Sequence, residues 1–280
     1  MDDTGYNEIA DLALRKTGQV FGAHQRYLVE ARLASILRRE NFSTLGELSQ
    51  CLSARPNAVL DLEVAAALTG KDTSFFRDRK TLGHVVSYLA KQASDNTNSS
   101  QKLRILCAGG GTGQEAYSLA IEALENAPEL IENDQLEIVS VDICKASTLR
   151  ARSGYYGHYE IQTGLSAQRM LKYFSRVDNS WQASDELRKM VSFSICNLID
   201  GTPELGMFDV VLCRNTMPAM ARPIAIDVAG YLANILQPWG QLILGADEAL
   251  PGEIAGLYAS RDVRSAYSLT AQTAARSDVA

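Results

Sequence analysis

The chain has little of what metal centres, disulfide scaffolds and nucleic-acid binders require. Its five cysteines, Cys51, Cys107, Cys144, Cys196 and Cys213, form no CxxC pair, and four lie in or beside apolar strand-like runs. A zinc site or disulfide framework is therefore not expected, and a reducing compartment is the simpler setting. Only three histidines occur, His24, His84 and His158, none spaced as a metal pair, so no metal is expected. Basic residues are outnumbered, with a net charge of −6, which argues against a protein whose main task is to hold nucleic-acid phosphates. No run reaches the roughly 18 apolar residues of a membrane span. Residues 1–10 carry two aspartates and no apolar centre, unlike a signal peptide. Membrane insertion is not expected, and the cytoplasm is the expected location.

What is present is an ordinary globular composition: 280 residues, 46% apolar and 21% charged. That length exceeds one average domain and suits a large α/β domain with a smaller companion. The first 90 or so residues read as helices between short polar breaks. From Arg26 to Arg39, apolar Val29, Leu33, Ile36 and Leu37 recur at helical spacing. Ser43 and Thr44 can cap a helix through Leu45, Leu48 and Leu52, and another runs from Asp61 to Leu68.

The polar run DNTNSSQ, residues 95–101, reads as an exposed connection. Beyond it, short β-branched runs alternate with helical ones: LRILCA, a Gly-rich turn, a helix through Leu124, LEIVSVD, then FDVVLC, a helix around Val228 to Leu236, and GQLILGA. Near-continuous apolar strands alternating with helices predict a mostly parallel sheet covered on both faces. The stretch from Gly154 to Val191 breaks the alternation. Gln168 to Phe174 reads as a helix and Ser180 to Phe193 as part of an insertion such as a small hairpin.

The run Cys107-Ala-Gly-Gly-Gly-Thr-Gly-Gln-Glu115 follows a strand and opens a helix. Such a turn brings backbone amides close to a small anionic ligand, although a plain βα turn has the same composition. Asp142 ends the next strand, where a carboxylate beside the same crevice can accept hydrogen bonds from both hydroxyls of a ribose. Gly111 to Ala116 fits G-x-G-x-x-A, yet Asp142 lies 29 positions beyond Gly113, against about 20 in the dinucleotide fingerprint. S-adenosylmethionine, with an amino-acid carboxylate for the turn and a ribose for the acid, suits the pair better than NAD.

Four segments in order resemble the CheR family of chemotaxis receptor methyltransferases. They are Ala67-Leu-Thr-Gly-Lys-Asp-Thr-Ser-Phe-Phe-Arg-Asp78, Thr112-Gly-Gln-Glu-Ala-Tyr-Ser118, Val141-Asp-Ile with Ala151-Arg-Ser-Gly-x-Tyr156, and Phe208-Asp-Val-Val-Leu-Cys-Arg-Asn215. The similarity runs from about Tyr6 to Glu248. It implies an α/β fold: a Rossmann-like class I methyltransferase domain with an N-terminal all-helical domain and a small inserted β-subdomain. The helical domain and linker are expected over residues 1–93 and the methyltransferase domain over 94–280, with the insertion at roughly 160–193. Carried over by position, the resemblance implies that Thr73, Arg77, Glu115, Asp142, Asn197, Leu198, Arg214 and Asn215 bind S-adenosylmethionine, with Arg77 at the catalytic centre as well. The implied activity is methyl transfer to glutamate side chains on the cytoplasmic domain of chemotaxis receptors. Arg26, Arg32, Arg38 and Arg39 would meet the acidic receptor surface, and the chain is expected to act as a monomer.

The sequence departs from the family pattern in three places. Lys71 stands where the family has asparagine, Ala219 where it has an active-site tyrosine, and Gly113-Gln-Glu-Ala116 where it has G-E-E-P. Lys71 and Ala219 motivate an alternative reading, a CheR-like protein that binds S-adenosylmethionine or S-adenosylhomocysteine as a regulatory module without turnover.

Overall fold

The computed structural model describes residues 3–54, 57–70, 73–95, 101–201, 205–261 and 263–269. Lys71 and residues 96–100 of the polar run lie outside the described residues.

Four helices form the first body: α1 (Asp3–Thr17), α2 (Arg26–Arg39), α3 (Leu45–Ala54) and α4 (Ala58–Leu68). Val29, Leu33 and Ile36, the apolar positions at helical spacing on α2, are buried against Tyr6, Ile9, Leu48, Val64 and Leu68. Thr44 accepts from the Glu47 amide, while Glu47 reaches back to the Ser43 amide, so α3 starts as its sequence predicts. Asn57 caps α4 by accepting from Val59 and Leu60.

α5 (Arg79–Asp95) precedes the polar run, yet Leu82, Val85, Val86 and Leu89 join the core on one face of the sheet. The two hydrophobic cores therefore part between Leu68 and Phe75, upstream of the expected break. A polar loop on the surface carries no information about which core the helix before it joins.

The main sheet holds β1 (Leu103–Ala108), β2 (Leu136–Asp142), β6 (Val191–Ile195), β7 (Phe208–Leu212), β8 (Leu236–Ile243), β9 (Tyr258–Ala259) and β10 (Ala266–Ser268). Their order is β6-β2-β1-β7-β8-β10-β9, parallel through β8 and antiparallel beyond it. Residues of β1 alternate between two cores, Ile105 and Cys107 on one face and Leu106 and Ala108 on the other. Hence the run is continuously apolar from Ile105 to Ala108. α5 and α6 (Gln114–Asn126) cover the first face and α12 (Arg222–Asn234) the second. From β1 the chain proceeds outward to β2 and β6, then returns to β7 on the opposite side. That reversal opens a crevice at the carboxyl ends of β1 and β7.

After α7 (Pro128–Glu132) and α8 (Lys145–Ser153), the insertion carries β3 (Tyr155–Gly157), α9 (His158–Gln162), α10 (Ala167–Tyr173), β4 (Phe174–Val177), β5 (Ser180–Ala183) and α11 (Asp185–Met190). β5 pairs antiparallel with both β3 and β4. The hairpin is thus Phe174 to Ala183. Residues 185–193, expected within it, form α11 and the start of β6, a strand of the main sheet. Arg169 on α10, 9% exposed, pairs with Glu122 and Glu125 of α6 and stacks over the Phe76 ring, fastening the insertion beside the crevice.

Candidate active site

The glycine turn is bent back over the end of β2. The amides of Gly109 and Gly110 both donate to the Val141 carbonyl, at 2.8 and 2.9 Å. A Cβ on Gly110 would lie 2.1 Å from Ser140 Oγ, so a larger residue there would force the Ser140 hydroxyl to move. Gly113 caps α6 with φ +90°, a backbone state that favours glycine. Tyr156, fully buried on β3, holds the turn by donating to the Thr112 carbonyl at 2.7 Å, and burial pushes its phenol well up. Tyr117 donates likewise to the Ala151 carbonyl. The Ala151 to Tyr156 motif is thus a brace for the turn.

Two clefts meet at Gly109, which lines both. The first, with about 450 Å³ of empty space, is lined by Thr73, Arg77, Glu115, Arg214 and Asn215 among others. The second, about 360 Å³, is lined by Asp142, Asn197 and Leu198 together with Thr17, Gln19 and Cys196. All eight residues expected at the cofactor therefore line one or other of two clefts that share Gly109.

Arg214 organises the first cleft. It is 8% exposed and lies 2.8 Å from Glu115 Oε2 and 3.5 Å from Asp78 Oδ2. Both its terminal nitrogens also donate to the Arg77 carbonyl at 3.1 Å. Two non-glycine residues flanking Arg77, Phe76 and Asp78, have φ of +50° and +57°, and Asn215 has +56°. Each such residue costs roughly 1–3 kcal/mol and persists only where its surroundings hold it. The Ser118 hydroxyl takes the Phe76 amide, and Thr81 donates to Asp78. Glu248 accepts from both the amide and the side chain of Asn215, and also from the Gly245 amide. Glu248 sits 33 positions from Asn215, and nothing local in the sequence marks it as a support of the site.

Asp142 organises the second cleft. It is 9% exposed, and its two oxygens accept one backbone amide each, Gly111 at 2.9 Å and Cys144 at 2.8 Å. Asn197 donates to the Lys16 carbonyl and to Asp200, which ties the end of α1 to the cleft. Burial, with the Asp200 charge adding to it, pushes the Cys196 thiol up to about 11. At neutral pH this thiol stays protonated, so it brings no nucleophile into the cleft. The sequence reading missed Gln19, Thr17 and Cys196, none of which belongs to a periodic or glycine-rich pattern.

A family model described as CheR methyltransferase, SAM binding domain, matches residues 71–264, and one described as CheR methyltransferase, all-alpha domain, matches residues 4–63. The chain belongs to the CheR methyltransferase family. It is 32% identical to chemotaxis protein methyltransferase Cher2 of Pseudomonas putida, an alignment covering 84% of this chain and 86% of the relative. It is also 32% identical to chemotaxis protein methyltransferase 1 of Pseudomonas aeruginosa, over 87% of this chain and 89% of that one. The chemotaxis protein methyltransferase of Salmonella typhimurium is 30% identical, over 89% and 84%.

The residues of this CheR-family chain fit the cofactor of the family, S-adenosylmethionine. Thr73 Oγ1 and Arg214 Nε are buried and have no hydrogen-bond partner among the described residues, and both belong to residues lining the first cleft. A ligand in the cleft can complete both groups. A Cβ on Gly111 would lie 3.0 Å from Thr73 Cγ2, so the glycine keeps the cradle open.

Proposed function

We propose that the chain transfers the methyl group of S-adenosylmethionine to glutamate side chains on the cytoplasmic part of a chemotaxis receptor. The observation that supports this reading is that all eight positions matching the family's cofactor residues line two clefts sharing Gly109. Arg77 and Thr73 would take the amino-acid carboxylate, the oxygen of Glu115 not paired to Arg214 would take the ammonium group, and Asp142 would take the ribose hydroxyls. Asn197 and Leu198 would flank the adenine. Once bound, the cofactor supplies an electrophilic methyl group on a sulfonium. A glutamate is already ionised at neutral pH, so no general base is required. The protein's work is to align acceptor and donor and to strip water from the acceptor. A tritiated methyl transfer assay with receptor cytoplasmic fragments tests the proposal. Saturable cofactor binding without transfer to any receptor fragment would favour the regulatory module instead.

Among the described residues no helix is long and apolar enough to cross a membrane. The proposed substrate places the protein in the cytoplasm. We further propose that the chain acts as a monomer.

Receptor docking is proposed for the arginines of α2. Of these, Arg32 donates to the Leu68 carbonyl at the end of α4, Arg39 forms a two-pronged pair with Glu63, and Arg26 lies over the Tyr6 ring. Arg38 is exposed and is the cleanest probe. Arg38→Glu should raise the KM for receptor about 2–10-fold through weaker association while cofactor affinity stays unchanged. Equal methylation at low receptor concentration would remove these arginines from docking.

Ala219 closes a short 3-10 turn, is exposed, and its carbonyl accepts from the Val20 amide at 2.9 Å. Its neighbours Thr216 and Met220 line the second cleft. A tyrosine there adds a wall for the acceptor without disturbing the cofactor contacts. Ala219→Tyr, or Pro218→Ile with Ala219→Tyr to free the loop angle, should raise the rate of methyl transfer about ten-fold with the cofactor Kd unchanged. Unaltered rates in both variants would show that the position does not touch the acceptor.

A further inference from the structure

The second cleft contains an amide that the family resemblance does not account for. Gln19 follows the end of α1 and lines the cleft together with Asp142, Asn197 and Leu198. The residue is only 4% exposed, and its side-chain amide makes no hydrogen bond among the described residues. Its polar atoms are not sealed off from the cleft, so a ligand there can complete the amide. Its backbone, in contrast, is fixed. Gln19 bridges Met220, with Val20 donating to Ala219 and Ala221 donating to Gly18 on either side. Gln19 donates its own amide to Thr17 Oγ1 at 3.3 Å. The side chain is therefore held at the cleft by a clasp between the helical domain and the sheet domain.

The other amide in the cleft cannot do the same work. Asn197 spends its Nδ2 on the Lys16 carbonyl, at 2.9 Å, and on Asp200, at 3.0 Å. Only its oxygen is left for a ligand, so Asn197 can accept but not donate. Gln19 keeps both functions. A free carboxamide matches the amino-bearing edge of adenine, where an exocyclic amine donor stands beside a ring-nitrogen acceptor.

We infer that Gln19 reads the amino-bearing edge of the cofactor's adenine, so that the helical domain supplies a specificity determinant to the nucleoside site. This rests on the methyltransferase reading above. It makes Gln19 a ligand-binding residue and gives the clasp a purpose beyond joining two bodies.

Calorimetry with S-adenosylhomocysteine and with its analogue bearing hydrogen in place of the 6-amino group tests the assignment. Gln19→Leu and Gln19→Met, of similar volume and without an amide, should lower affinity for S-adenosylhomocysteine about ten-fold. Affinity for the 6-deamino analogue should fall by a smaller factor, so the preference for the amino group narrows. Thermal midpoints should be little changed, because the clasp is made by the backbone. Equal loss for both ligands, or no loss for either, overturns the assignment while leaving the methyltransferase reading intact. Failure of the unaltered protein to bind S-adenosylhomocysteine overturns both.

Discussion

Arg214→Ala should be the most damaging single change at the crevice, lowering stability by about 2–4 kcal/mol and abolishing saturable cofactor binding. Breaking a buried ion pair by removing one partner costs about 3–5 kcal/mol, because the other charge is stranded. Here the stranded carboxylates, Glu115 and Asp78, have side chains 21% and 24% exposed, so water softens the penalty and the lower figure applies. The loss reaches further than charge. Arg214 also holds the Arg77 carbonyl with two hydrogen bonds, and Arg77 stands between two left-handed residues that only their surroundings keep in place. Without Arg214 the Phe76 to Asp78 turn should relax and Arg77 should leave the cleft. Arg214→Lys should recover little, since a single ammonium cannot replace a planar fork that serves a carboxylate and a carbonyl together. Thermal unfolding and calorimetry check both variants. A midpoint within a degree of the unaltered protein, with cofactor binding retained, would show that the turn stands without Arg214.

Much of the fold was legible because its periodicities are long and clean. β1 alternates between two cores and so reads as an apolar run broken only by Arg104, and α2 buries one stripe. The insertion was harder for physical reasons. α9 and α11 span only five and six residues, too few for a helical period to repeat, whereas α10 was read as a helix over Gln168 to Phe174. β6 reads VSFSI, with exposed Ser192, because it is the edge strand and half of it faces outward; its serines made a sheet strand look like polar insertion. The position of α5 depended on which core its apolar stripe meets, a tertiary choice that the stripe itself does not encode.

At the proposed site, motif spacing points to residues that the fold brings to the two clefts, but not to the residues that support them. Asp142 and the glycine turn announce themselves by standing at a strand end and a strand-to-helix junction. Glu248 fixes the left-handed Asn215 from a distant loop, and Gln19 reaches the cleft from the helical domain. Contacts of that kind are created by the chain's return path, so no local pattern precedes them.

Asp142→Ala should weaken S-adenosylmethionine binding by about 1.5–3 kcal/mol, roughly 10- to 150-fold, as two ribose hydroxyls lose a charged acceptor. The structure makes a sharper forecast for Asp142→Asn. In most sites asparagine is the gentle replacement, because it keeps the shape and one acceptor. Here both carboxylate oxygens already accept a backbone amide, from Gly111 and from Cys144. An asparagine must point its NH2 at one of those amides, placing donor against donor in a site that is 9% exposed. Whichever way it flips, either the glycine turn or the start of α8 loses its tether. Asparagine should therefore be no better than alanine for cofactor affinity. Asp142→Glu should fail as well, since the longer arm displaces the Gly111 amide by about one carbon–carbon bond. Calorimetry with S-adenosylmethionine across the three variants, with NAD as a control ligand that should not bind, checks the series. If Asp142→Asn binds within two-fold of the unaltered protein, the carboxylate is neither the ribose acceptor nor the brace of the turn, and the nucleoside must lie elsewhere in the crevice.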